Sequence, residues 1–410
     1  MKKISLILAL FISITSQAQE TDSLPKLGSL DQVENRIALD EHAKKPVYEL
    51  TFLQPYSDFK EKLKEETGLS FALDYTSIYF GTNAKIGSGE AGSGVFRFYG
   101  AWDIIGRKSG NTGALVYKLE HRHKYGTIPV SSLGLDMGYV GMVAPPFNDS
   151  GYRTQNLYWR QRLANGRFAI VAGFLDVTDF LDVYSLASPW MHFTNFNFST
   201  GIAAVNVPND GYLGIIMGGW ITKNIYAIAG IADINGNTAN IFEGVDTFFN
   251  KNEYFKHIEV GITSAKDYMV LDNIHATFWQ RDATSATGDP SGWGLVLSGT
   301  KYINDTWLPF ARFAYTKDAG SFLQTALAVG VGYQPNPGSN LLSAAYSWGK
   351  VNETTFGASY DAQHTFEVFY RIQLLSRMAV TPDLQLIINP ALNNQQNSIF
   401  IYGIRGRIAL

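Results

Sequence analysis

Charged side chains stand at every second position in several short, otherwise apolar runs of this sequence. Asp74 lies between Leu73 and Tyr75, and Arg97 between Phe96 and Phe98. Asp103 follows Trp102, and Lys118, Glu120 and Arg122 alternate with Tyr117, Leu119 and His121. Arg160 follows Trp159, while Glu367 and Arg371 interleave with Phe366, Val368 and Tyr370. Asp383 and Gln385 repeat the pattern, and Arg405 and Arg407 interrupt the greasy stretch NSIFIYGIRGRIAL. A soluble core rarely buries such charges unpaired. Facing one wet space, guanidinium and ammonium donors and carboxylate acceptors can exchange hydrogen bonds with the hydroxyls of a neutral solute. Aromatic faces, with Trp190 and Trp279 the candidates, can stack on the C–H face of a sugar ring. The same charges can equally pair with one another and stiffen a wall.

Other chemistry finds little support. His121 and His123 share one strand face without an evident third ligand, which reads as a rim position and not as a metal site. His257, Glu259 and His275, with Trp279, read as inward residues of a far wall, with a hydrolytic site as the lesser alternative. There is no G-x-S-x-G, no phosphate-binding glycine loop followed by a helix, and no HExxH. No catalytic residue, cofactor or metal is expected. The chain has no cysteine, so disulfides and thiolate metal sites are excluded. Its 33 Lys+Arg against 36 Asp+Glu give a formal net charge of -3, which argues against nucleic acid as partner.

The elements that must position these residues follow from composition and period. MKKISLILALFISITSQA has two lysines, a short apolar stretch and a small-x-small end, the pattern of a signal peptide over 1–18. No later window is apolar enough for a membrane-spanning helix. Yet hydrophobic residues make up 46% and charged ones only 17%, with 39 Gly, 22 Tyr, 26 Phe and 8 Trp. Exported, aromatic-rich and charge-poor, the chain reads as β-structure in an outer membrane. Residues 19–67 are expected to be a periplasmic segment, mobile to about residue 45, with one short helix over 55–68. Residues 68–410 are expected to be a transmembrane β-barrel. Its period is two, apolar side out and polar side in.

Turn signals set the strand count. Short connections at 108–113, 164–166, 222–224, 265–267, 303–305, 335–339 and 376–378 alternate with longer ones. Reading 202–221 as one long bulged pass gives sixteen strands, with short turns facing the periplasm and long loops outside. Sorting the faces predicts one charged wall formed by the first four and last three strands. Small residues lie opposite: Ala169, Gly173, Ala227, Ala229, Ala326, Ala328, Gly330, Ser343, Ala345 and Ser347. The aromatic-rich connection around 176–201 is expected to fold inward and narrow the passage.

Several stretches together resemble the OprB-type carbohydrate-selective porin family. They are LDYTSIY, GVFRFYGAWDIIGR, NTGALVYKLEHRHKYG, DVTDFLDVYSLASPW, FSTG and TFEVFYRIQL followed by MAVTPDLQLIINPALN, and they run from about residue 60 onward. The resemblance implies a 16-stranded barrel in the outer membrane of a Gram-negative bacterium. It also implies passage of monosaccharides such as glucose by facilitated diffusion, often through a homotrimer. The EHRH motif falls on Glu120 to His123, and ASPW on Ala187 to Trp190. One departure is Leu410, where many such barrels carry Phe or Trp. The residues expected to line the pore and meet the sugar are Asp74, Arg97, Asp103, Lys118, Glu120, Arg122, Arg160, Trp190, Trp279, Glu367, Arg371 and Arg405. A general or weakly anion-preferring porin is the alternative, motivated by the inward arginines.

Overall fold

A computed structural model describes residues 27–42, 44–49, 53–107, 109–208 and 210–410. The expected signal peptide lies outside the described residues. Sixteen antiparallel strands form one closed barrel. In chain order they are β1 Leu69–Thr82, β2 Glu90–Ile105, β3 Gly113–Lys124, β4 Gly151–Leu163, β5 Phe168–Leu175, β6 Tyr212–Trp220, β7 Ile225–Asp233 and β8 Tyr254–Thr263. The second half comprises β9 Asn273–Arg281, β10 Gly292–Thr300, β11 Trp307–Asp318, β12 Leu323–Tyr333, β13 Leu341–Val351, β14 Gln363–Leu375, β15 Met378–Ile388 and β16 Ser398–Ala409. The seam pairs β1 with β16, from Asp74 opposite Ala409 to Thr82 opposite Ile401. No edge remains, so every strand has partners on both sides for its N–H and C=O groups.

The period of two holds around the barrel. On β16, Phe400, Tyr402, Ile404 and Ile408 are exposed on the outer surface, while Arg405 and Arg407 are buried inside. On β14, Phe366, Val368 and Tyr370 face out and Glu367, Phe369 and Arg371 face in. Two readings need correction. On β7 the inward residues are Tyr226, Ile228, Gly230 and Ala232, because Ile228 stands opposite the inward Glu259 of β8. Ala227 and Ala229 therefore face the outer side. Between Tyr226 and the terminal Asp233 the strand is small and aliphatic, so its alternation gives little to fix its phase. The expected long pass over 202–221 is also wrong. Its first part belongs to the preceding loop, and only Tyr212–Trp220 is strand, so the count of sixteen stands.

Among the described residues ahead of β1 are two helices, α1 Val33–Glu41 and α2 Gln54–Thr67. α2 carries Pro55 in its first turn and stops at Gly68, whose φ of 80° is the left-handed conformation that glycine tolerates best. It packs against the start of β1, and Trp102 Nε1 donates to the Thr67 carbonyl at 3.1 Å. α1 is not the mobile lead that composition implied. Val33 and Ile37 are buried within the main core, and so are its polar residues Asn35, Arg36 and Asp40. The mouth it occupies is the one ringed by short turns. Between the helices, Val47 and Tyr48 donate to the carbonyls of Gln373 and Leu374 at 2.8 and 2.9 Å, pinning the chain to the wall.

Closure at the seam has a local requirement. Gly403 stands opposite Phe80, and a Cβ there would collide with the Phe80 ring and the Tyr79 carbonyl. Gly406, three residues on, has open space around it. Gly403→Val should therefore overpack the seam, at a cost of about 1–3 kcal/mol or more. Loss of the compact, heat-modifiable band on a denaturing gel is the expected readout, with Gly406→Ala keeping it; equal behaviour of the two would refute the close-approach argument.

Candidate functional site

The seam strands build the densest charge network. Asp74 and Arg97 are direct neighbours across β1 and β2, and Thr76 faces Arg407 across the seam. This register aims two guanidiniums at one carboxylate. Arg97 Nε donates to Asp74 at 2.8 Å and its Nη2 donates as well, making a forked pair. Arg407 donates to Asp74 at 2.9 and 2.6 Å and to Asp40 of α1 at 2.9 and 2.6 Å. The Tyr99 hydroxyl lies 3.2 Å from Asp40 and 3.4 Å from Asp74. Burial pushes the Asp40 carboxyl up, but Arg407, with Arg36 and Lys44, holds it well below the usual carboxylate range. On the lumen side the Arg97 guanidinium sits 3.8 Å from the centroid of the Trp190 ring.

The loop between β5 and β6, residues 176–211, folds inward as expected and crosses the lumen. Two anchors hold it. On one wall Glu367 accepts from the backbone N–H groups of Thr194 at 2.6 Å and Asn195 at 3.0 Å. Arg405 Nη1 donates to the Pro189 carbonyl at 2.6 Å, and Arg371 Nη1 meets His192 Nε2 at 3.2 Å. On the other wall Asp182 of the loop pairs with Arg312 of β11 and with His275 Nε2 of β9 at 2.9 Å. Glu259 of β8 accepts from the Asp182 N–H at 2.6 Å, the Thr277 hydroxyl at 2.7 Å and the Tyr226 hydroxyl at 2.9 Å. The loop's one-turn helices, Phe196–Phe198 and Thr200–Ala203, lie against β11 to β13. The small residues Ala326, Ala328, Ser343 and Ser347 thus make room for the loop, and the open space lies off-centre, against β3 and β4.

Two cavities flank this packing. The first, about 300 Å³, is lined by Lys118, Glu120, Arg122 and Gln155 of the wall. Asp176, Asp179 and Trp190 of the loop and Ser29 to Asp31 ahead of α1 complete much of its surface. The second, about 360 Å³, lies toward the short turns and includes Gln32, Glu34, Arg160, Arg162 and Trp220. Of the twelve expected pore-lining residues, Lys118, Glu120, Arg122 and Trp190 border the first cavity and Arg160 the second. Asp74, Arg97, Asp103, Glu367, Arg371, Arg405 and Trp279 border neither. Asp103 pairs with Arg160 at 2.8 Å, and Trp279 stacks on Phe255 with ring centroids 5.8 Å apart. Arg312 was missed, although the alternation of its FARFAY segment marks it as inward. Asp31, Asp176 and Asp179 were missed because they sit outside the strands, where no period assigns a face.

In the first cavity each base has an acid. Arg122 Nε donates to Glu120 at 2.7 Å, and Lys118 lies 3.0 Å from Asp179. Burial pushes the Asp179 carboxyl up to about 7, opposed by Lys118 and reinforced by Asp176. A folded value above the unfolded one means that the fold gains stability as pH falls through about 7. Protonation also leaves Lys118 without a counter-charge. Ion selectivity, read as the reversal potential across a planar bilayer, should therefore move toward anions between pH 8 and 5. Asp179→Asn should show the shifted value at pH 8 and flatten the profile; a profile unchanged by this substitution would exclude Asp179 as its source.

Asp182 carries the far anchor, and Asp182→Asn leaves Arg312 and His275 buried without their carboxylate. Breaking one partner of a buried pair costs on the order of 3–5 kcal/mol. Proteolysis within residues 176–211 should then speed up while the strands stay protected; unchanged proteolysis would show that the anchor is dispensable.

The family of carbohydrate-selective porins of the OprB type matches this chain over residues 279–410. No curated protein matches it. Among solved structures, OprB of Pseudomonas putida at high pH superposes with a TM-score of 0.69 at 13% identity, covering 87% of this chain and 97% of that one. Its low-pH structure gives 0.53 at 11% identity, covering 90% and 100%. A triple mutant of the Rhodopseudomonas blastica porin gives 0.54 at 11% identity, covering 83% and 100%. At these identities the structures speak for the fold alone, a 16-stranded porin-type barrel. Over its C-terminal third the chain is similar to the OprB-type carbohydrate-selective porins, and its barrel has the fold of the solved porins.

Proposed function

We propose that the protein carries monosaccharides such as glucose down their gradient across the outer membrane of a Gram-negative bacterium. The observation that supports this most is the first cavity. It sets Lys118, Glu120, Arg122, Asp176 and Asp179 beside the Trp190 ring. Paired acids and bases cancel net charge while keeping donors and acceptors in reach, which suits hydroxyls better than ions. The indole offers a flat apolar face to a sugar's C–H bonds. In this reading Lys118, Glu120, Arg122 and Trp190 meet the solute. Asp74, Arg97, Asp103, Arg160, Trp279, Glu367, Arg371 and Arg405 hold the elements that shape its path. The barrel sits in lipid, with the short turns and α2 toward the periplasm, and assembles as a homotrimer.

One observation favours the second reading, an anion-preferring porin. Arg371 Nε, and Nε and Nη2 of Arg405, are buried without a hydrogen-bond partner, as are Nε and Nη1 of Arg36. The test separates the two. Pure protein in liposomes should pass glucose faster than a non-sugar of equal size, and glucose should block ion current saturably. Glu120→Gln or Arg122→Gln, each losing a charge-assisted hydrogen bond, should weaken that block by about tenfold. Equal rates for both solutes, with anion preference and no block, would favour the second reading.

A further inference from the structure

The two cavities share no lining residue, and one stretch of chain lies between them. Ser29, Leu30 and Asp31 border the first, while Leu27, Gln32 and Glu34 border the second. This stretch leads into α1, which occupies the short-turn mouth.

Its attachment has two parts. A small apolar edge, Leu30, Val33 and Ile37, enters the core cluster with Tyr99, Val116 and Tyr158. Polar contacts supply the remainder. The Ser29 N–H donates to the Asp179 carbonyl at 2.7 Å, and the Ser188 hydroxyl to Asp31 at 2.8 Å. Gln32 reaches the Tyr158 hydroxyl at 3.4 Å. Glu34 accepts from Arg160 and Arg162, both at 2.9 Å. Asp40 takes Arg407. Four of these bonds go to the infolded loop or to charged lumen residues that also face a cavity, where water can replace them. An element held this way can leave its seat without breaking the sheet.

We infer that residues 27–41 are a plug that must shift for solute to pass from one cavity to the other, and that they set the size limit of the channel. The inference rests on the channel reading but not on its sugar preference, so potassium chloride conductance tests it independently. The full chain and a deletion of residues 27–42 are compared in planar bilayers. Single-channel conductance should rise at least twofold in the deletion, and liposomes should then admit oligosaccharides that the full chain excludes. Should the deletion fail to assemble, the chain's lack of cysteine allows a lock in the full-length protein. Asp31→Cys with Ser188→Cys places two thiols where a hydrogen bond now joins plug to loop. A disulfide or a short bis-reactive linker should close the channel, reducing conductance and glucose flux at least fivefold, and release of the disulfide by reductant should restore both. Wild-type conductance in an assembled deletion, or full flux through the locked form, would overturn the proposal.

Discussion

In hydrocarbon no water is present to satisfy a peptide group, and this single constraint organises the molecule. It forces the strands to close, and closure forces a two-sided wall with a period of two. Whatever is polar in a strand must then point to the interior. The charges that look misplaced in the linear sequence are a direct result of that geometry. Arg405 and Arg407 survive beside Phe400, Tyr402 and Ile404 because adjacent residues occupy opposite sides of one sheet.

Once inside, those charges need partners, and the barrel wall alone supplies only some of them. Asp74 with Arg97, and Glu120 with Arg122, are satisfied within the wall. Others are completed by chain that does not cross the membrane. Lys118 finds Asp179, Arg312 finds Asp182, and Arg407 and Arg160 find Asp40 and Glu34. Lumen filling is therefore electrostatic matching as much as apolar packing. The apolar part is concentrated where the loop meets β11 to β14, with Phe193 set 4.9 Å from Phe369 and 5.1 Å from Phe198.

Much of this was legible in the sequence, for a physical reason. Strands such as FRFYGAWD and TFEVFYRIQ mix aromatic and charged residues, so their phase is unambiguous. β7, IYAIAGIAD, has only small and aliphatic residues on both faces between Tyr226 and Asp233, and there the phase is misread by one position. The infolded loop was legible through its aromatics, but its acidic contacts were not, because irregular backbone assigns no face. α1 was hidden for a different reason. Its buried side is largely polar, with Asn35, Arg36 and Asp40, and its apolar edge of Val33 and Ile37 is too narrow to betray it. The seven expected residues that border neither cavity share a cause. Alternation tells inside from outside, but cannot say which inward charge is covered by another part of the chain.

The seam contact between Arg407 and Asp40 also bears on how such a chain comes together. Asp40 precedes every strand and Arg407 lies on the sixteenth, 367 residues later. Neither residue has its partner until the first and last strands have met. Until then Arg407 lacks both Asp74 and Asp40, while Asp40 has only its chain neighbours Arg36 and Lys44. Their union is available only to a barrel that has already closed in register. A single ion pair thus reports on completion of the whole sheet, and a one-residue slip at the seam would turn Arg407 toward lipid and withhold it.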